Sequence, residues 1–278
     1  MRAVLVLSCS LLLGGSASTP AEAQSSGLPG HLLDVRVGEY FILAPDSIPA
    51  GLVTLRLTQT GDVTKPWPAD MEKLRTDVTY HFHMIWLVRL DSGKTITDVF
   101  NAERARIPTP WMTILGGPGF ADTPGSSNVT MMVSQGSYAL ICFVGSAQED
   151  RNRYHLLKGM IRPLKVTGVP TSDTMPAPQL TVVLGNDSAS IADSLTAGVY
   201  RILVRNEGPR STDFAIGRLK SGYTVAQARA WRPRLMTEPP RHAIGGIVGI
   251  PAGRALMTTV VLEPGDYFVG DEHVVVRR

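Results

Sequence analysis

The chain says much of what it has to say twice, so whatever unit it folds into must be built from two separate stretches of sequence. Ala50-Gly51 leads into Leu-Val-Thr-Leu-Arg-Leu57, and Ala197-Gly198 leads into Val-Tyr-Arg-Ile-Leu-Val204. Arg89-Leu-Asp-Ser-Gly93 returns as Arg218-Leu-Lys-Ser-Gly222, and a short helix-like stretch follows each, Thr95 to Phe100 and Tyr223 to Ala228. Gly116-Gly117 returns as Gly245-Gly246, and Gly136-Ser-Tyr138 as Gly265-Asp-Tyr267. Between the copies, Gly168 to Pro178 is rich in Pro, Ser and Thr and reads as a linker. The expected division is a first domain over 34–167, a linker over 168–178 and a second domain over 179–278.

Within each copy the apolar residues alternate. Val53, Leu55 and Leu57 fall on one side of a strand, with Thr54, Arg56 and Thr58 on the other; Tyr200, Ile202 and Val204 repeat the scheme. With 27 Gly and 20 Pro punctuating short strands, the pattern predicts an all-β protein: two tandem Greek-key β-sandwiches with short helices in the connections. The charge is nearly balanced, 27 Lys and Arg against 24 Asp and Glu, with the basic residues scattered, so a nucleic-acid partner is not expected.

Residues 1–23 read as a secretory signal, with Arg2, an apolar run from Ala3 to Leu13, and Ala21-Glu22-Ala23 as the cleavage site. The run is too short for a transmembrane anchor, and no later stretch serves as one. The expectation is a secreted or periplasmic protein. Of 2 cysteines, Cys9 leaves with the signal and Cys142 remains alone. A lone cysteine in an oxidising compartment is buried, reactive or metal-bound.

Cys142 ends the apolar run Tyr138-Ala-Leu-Ile-Cys142. His155 and Met160 follow in His-Leu-Leu-Lys-Gly-Met, and His81-Phe-His83 precedes it on another strand. A thiolate, two imidazoles and a thioether make the donor set of a blue-copper centre, with zinc as the other metal such donors accept. His83 is the better first ligand, with His81 the alternative. Aligning the copies on Arg89/Arg218 and Gly136/Gly265 sets His83 opposite Thr212 and Cys142 opposite Asp271. The segment holding His155 and Met160 is mostly missing from the second copy. The expected metal ligands, His83, Cys142, His155 and Met160, therefore occur together in one copy and are absent together from the other.

In these residues the chain resembles the cupredoxins, secreted or periplasmic β-sandwich proteins. Tyr138 to Cys142 is similar to the strand that ends on that family's ligand Cys, and His155 to Met160, followed by Ile161 to Val166, to its His-and-Met segment and closing strand. The resemblance covers 34–167 with its motifs and 177–278 as an echo of the fold. It implies copper as cofactor, electron transfer or copper handling as function, and a redox or cell-envelope protein as partner. One departure stands out, because Phe143 through Tyr154 intervene where the family keeps Cys and His close.

Two other readings were weighed. A metal-free pair of sandwiches would act as a binding or scaffold module of the envelope. A two-domain copper enzyme, of the nitrite reductase or small laccase kind, is set aside because Ile141 and Phe143 flank Cys142 where those enzymes place His. No Gly-x-Ser-x-Gly or His-Glu-x-x-His motif suggests a hydrolase, and the expectation is a non-enzyme. Asn128-Val-Thr130 is a glycosylation sequon, and the segment Thr64 to Lys73, with Trp67 and Met71, reads as a surface loop.

Overall fold

The computed structural model describes residues 27–38, 40–60, 83–122, 125–145, 154–170, 172–185, 194–231 and 239–278. The signal-like segment, His81 and the 64–73 segment lie outside them. The strands of the first half are β1 (His31–Gly38), β2 (Phe41–Leu43), β3 (Ser47–Pro49), β4 (Gly51–Gln59), β5 (Trp86–Leu90), β6 (Met112–Pro118), β7 (Ser126–Val133), β8 (Gly136–Ile141) and β9 (Ile161–Thr167). Those of the second are β10 (Leu180–Leu184), β11 (Ser194–Thr196), β12 (Gly198–Asn206), β13 (Thr212–Leu219), β14 (Arg241–Ile250), β15 (Ala255–Leu262), β16 (Gly265–Val269) and β17 (Glu272–Arg277). The helices α1 (Ile96–Ala105) and α2 (Val225–Ala230) follow β5 and β13. The all-β expectation holds.

The repeat is visible in the strand register. Arg89 of β5 faces Tyr138 of β8, and Arg218 of β13 faces Tyr267 of β16. Both helices open on a threonine capping box, Thr95 with Asp98 and Thr224 with Gln227, which satisfies the free amides of the first turn. The paired glycines explain themselves in the same way in each copy. A Cβ on Gly117 would run into the carbonyl of Ile85, and one on Gly246 into that of Phe214. Only a residue without a side chain lets the neighbouring strand come so close.

These strands assemble into two sheets that each run through both halves. One is ordered β10-β12-β15-β7-β4-β1-β2, the other β11-β17-β16-β13-β14-β6-β5-β8-β9-β3. Each order reads as one copy followed by the other reversed, so the halves are related by a local two-fold. The seams are antiparallel: Met257 of β15 faces Thr130 of β7, and Ile247 and Val248 of β14 face Pro118 and Gly117 of β6. At the first seam the Asn128 side chain takes the place of a peptide group. Its Nδ2 donates to the Thr259 carbonyl at 2.7 Å, and its Oδ1 accepts from the Thr259 amide at 2.8 Å. The asparagine of the sequon is thus buried and engaged.

Between the sheets lies one apolar core that includes Leu33, Leu55, Leu87 and Leu140 from the first half and Ile202, Val204, Phe214 and Val260 from the second. Alternation sorts β8 and its continuation. Tyr138, Leu140 and Cys142 point into this core, while Ala139 and Ile141 join Val88, Val99 and Leu156 in a smaller cluster on the outer face, beneath α1. The period-two pattern therefore delivers Cys142 to the interior.

Replacing Asn128 by Ala removes both seam bonds from within a buried ladder, a loss of about 1–3 kcal/mol. We expect urea unfolding of the Asn128→Ala protein to show a midpoint lowered accordingly, and the folded protein to stay unmodified at Asn128 when offered to an oligosaccharyl transferase.

Candidate metal centre

Cys142 leaves the end of β8 with its main chain held on both sides. Its amide donates to the Met160 carbonyl at 3.0 Å, and its carbonyl accepts from the Leu156 amide at 3.1 Å. Both partners belong to a single turn of 3-10 helix, His155–Lys158, and the residues that close it. Gly159 ends this turn in the left-handed region, φ 110°, and the Met160 amide returns to the His155 carbonyl at 3.1 Å. The long connection after Cys142 is pinched off at its base: Gly145 and Tyr154 form an antiparallel bridge, and the His155 amide donates to the Val144 carbonyl at 2.9 Å. The extra residues that separate Cys142 from His155 in sequence thus do not separate them in space.

His83 arrives from the other side, just ahead of β5. Its carbonyl accepts from Gln59 Nε2 at 3.1 Å, from the buried last residue of β4. The three donors converge. Cys142 Sγ lies 3.7 Å from His155 Nδ1, and His155 Nδ1 lies 3.2 Å from His83 Nδ1. All three residues are buried, with His83 3% and His155 1% exposed. Met160 is fully buried in the same core as Cys142. The structure thus brings His83, Cys142 and His155 together, with Met160 beside them in the chain path.

Such spacing suits a shared ion. A metal about 2.0 Å from imidazole nitrogen and 2.3 Å from thiolate sulfur sets coplanar donors roughly 3.5–3.7 Å apart. The donor chemistry is equally apt, since thiolate and imidazole together suit copper and zinc. Two imidazoles and a thiol enclosed in apolar surroundings are otherwise an expensive choice of core residues.

Burial pushes the Cys142 thiol up to about 11, and main-chain hydrogen bonds from Val144 and Met84 act the other way without overcoming it. The metal-free thiol is therefore protonated at neutral pH, and a cation at the site would have to displace that proton.

Among the described residues of the second half there is no counterpart. Thr212 and Asp271 line an open cleft of about 950 Å³ together with Asn206, Asp213 and Glu272. Among the described residues, the histidines outside the centre are accounted for: His31 is exposed, His242 pairs with Asp122 and His273 with Asp266. Sequence reasoning did not pick out Gln59 or Tyr40. The ring of Tyr40 meets His155 edge-on, with centroids 5.5 Å apart. Neither residue lies in the Cys-to-Met segment or shows a motif of its own.

Solved structures similar to this chain include copper proteins. Reduced auracyanin from Roseiflexus castenholzii is 16% identical over 50% of this chain and 98% of its own, with a TM-score of 0.29. Rusticyanin from Thiobacillus ferrooxidans is 14% identical over 50% of this chain and 79% of its own, with a TM-score of 0.28. The Blue Copper Oxidase from Nitrosomonas europaea is 13% identical over 89% of this chain and 85% of its own, with a TM-score of 0.21. No protein-family model matches the chain, and no curated protein matches it. The expectation of a non-enzyme is corrected here. Solved structures that align along most of the chain include a multicopper oxidase and a blue copper oxidase, which are enzymes. The shorter alignments to auracyanin and rusticyanin agree with the resemblance read from the sequence.

A thiol whose folded value is raised from 9 to about 11 favours the unfolded chain once that chain begins to ionise. The metal-free protein is therefore expected to lose stability as pH rises from about 9 to 11, a loss absent from Cys142→Ala, when both are followed by urea unfolding across that range. At pH 8 iodoacetamide should leave Cys142 of the folded metal-free protein unlabelled and modify it fully after denaturation.

Proposed function

We propose that this chain is an exported copper protein whose first sandwich, residues 34–167, holds a mononuclear centre on His83, Cys142, His155 and Met160, and whose second sandwich, 179–278, completes its sheets. The observation that carries this reading is the convergence of three buried donors, from two strand ends and a 3-10 turn, at 3.2 and 3.7 Å. Copper bound there would supply a one-electron couple.

The chain's own residues favour that use. Each donor is held by main-chain or buried contacts rather than by a free loop: Cys142 through Met160 and Leu156, His155 through Val144, and His83 through Gln59. Donors fixed in this way change little when charge arrives or leaves. Their burial keeps water from adding as a further ligand. Copper held by Cys142 would require the thiolate, which the main-chain hydrogen bonds of Val144 and Met84 would help stabilise. Met160, buried in the same core, would be the soft thioether donor to the metal. A redox protein of the cell envelope or exterior is the partner that export and a one-electron centre call for. Among the described residues, no helix is long and apolar enough to cross a membrane.

The test is a visible spectrum of the protein after addition of Cu(II). An intense band near roughly 600 nm, lost in Cys142→Ala and shifted or weakened in Met160→Gln, is expected. No band, together with no metal by elemental analysis, would leave a paired β-sandwich with a binding or scaffold role.

A further inference from the structure

Tyr40 occupies an unusual place for its size. It turns the chain from β1 into β2 with φ at 58°, in the left-handed region. For a bulky residue that conformation costs roughly 1–2 kcal/mol. The other such non-glycine residue among those described, Arg106, closes helix α1, where left-handed caps are ordinary. Tyr40 has no helix end to close.

Its ring has other work. It meets His155 at an interplanar angle of 86°. Lys158, from the same short turn as His155, donates from Nζ to the Tyr40 hydroxyl at 3.4 Å and lies 5.0 Å from the ring centroid. The main chain of Tyr40 presses on that turn too, since a Cβ on Gly159 would sit 3.1 Å from the Tyr40 carbonyl oxygen. His155 is almost fully enclosed while Tyr40 itself is half-buried, so the ring reaches from solvent to the ligand histidine.

We propose that Tyr40, pinned by Lys158, is the lid of the metal centre, controlling access of water, ions and small molecules to His155. The identity of what is admitted rests on the copper reading; the closure does not. Without the ring one edge of His155 faces solvent and the donors exchange freely with their surroundings. With it, exchange waits for the Tyr40 ring to move aside. The strained backbone is kept because glycine or asparagine, which would relax it, could not cover the histidine.

The experiment compares the full chain with Tyr40→Gly and Tyr40→Phe. In metal-free protein, acylation of His155 by diethyl pyrocarbonate is mapped by mass spectrometry, with exposed His31 as internal reference. Tyr40→Gly should react about tenfold faster at His155, because access no longer waits for the ring to move aside. Tyr40→Phe, which keeps the ring, should stay near the unsubstituted rate. Thermal unfolding confirms that each variant is folded, and Tyr40→Asn replaces Tyr40→Gly should the latter fail to fold. In copper-loaded protein, bleaching of the Cys142-dependent band by a chelator should accelerate in the same order. Equal acylation rates in folded variants overturn the lid. A missing band in the unsubstituted protein overturns the copper reading alone, and the acylation comparison still decides the lid.

Discussion

A long exposed edge of a β-sheet is a liability, and much of this structure follows from covering such edges by pairing. Each copy of the repeat offers one edge of each of its sheets to the other copy, at β7 and β6 in the first half and β15 and β14 in the second. The chain closes all four against one another. Two seams then turn four small sheets into two long ones, and a single core runs between them. Asn128 shows how closely the seam imitates an ordinary ladder, since its amide exchanges the same pair of bonds with Thr259 that a peptide group would.

Against this frame the metal centre is a local exception to an apolar interior. Its polar donors are tolerated because each is held by a neighbour whose own bonds are satisfied. Cys142 lies where the alternation of β8 puts an inward residue. The turn carrying His155 and Met160 is sewn to it by main-chain bonds, and Gln59 ties His83 across from β4. The second half shows the same scaffold without the exception. It lacks the turn, and the corresponding end remains a cleft lined by Thr212 and Asp271.

Much of this was legible in the residues. Alternating apolar positions and repeated Gly and Tyr landmarks revealed strands and duplication, because packing on a pleated surface imposes a period that can be counted. The lone Cys142 and the spacing of His155 and Met160 pointed to the donors. The seams were not legible, because main-chain pairing between β7 and β15 leaves no side-chain signature beyond one asparagine that read as a sequon. Tyr40 was hidden for a related reason: its role depends on a left-handed turn and on a histidine far along the chain. The non-enzyme expectation rested on Ile141 and Phe143 beside Cys142 and on few remaining histidines. Such local absences in the sequence say nothing about what the rest of the chain does.

The local two-fold has a meaning for stoichiometry. Two sandwiches joined by one chain meet at an effective concentration that no free partner matches. The half with the donor cluster therefore never has to find its mate, and the mate it keeps shows no such cluster among the described residues. Had the same edges been satisfied by two separate identical chains, each assembly would carry a pair of centres related by symmetry. Duplication within one chain instead makes a symmetric body with a single, off-axis donor cluster among the described residues.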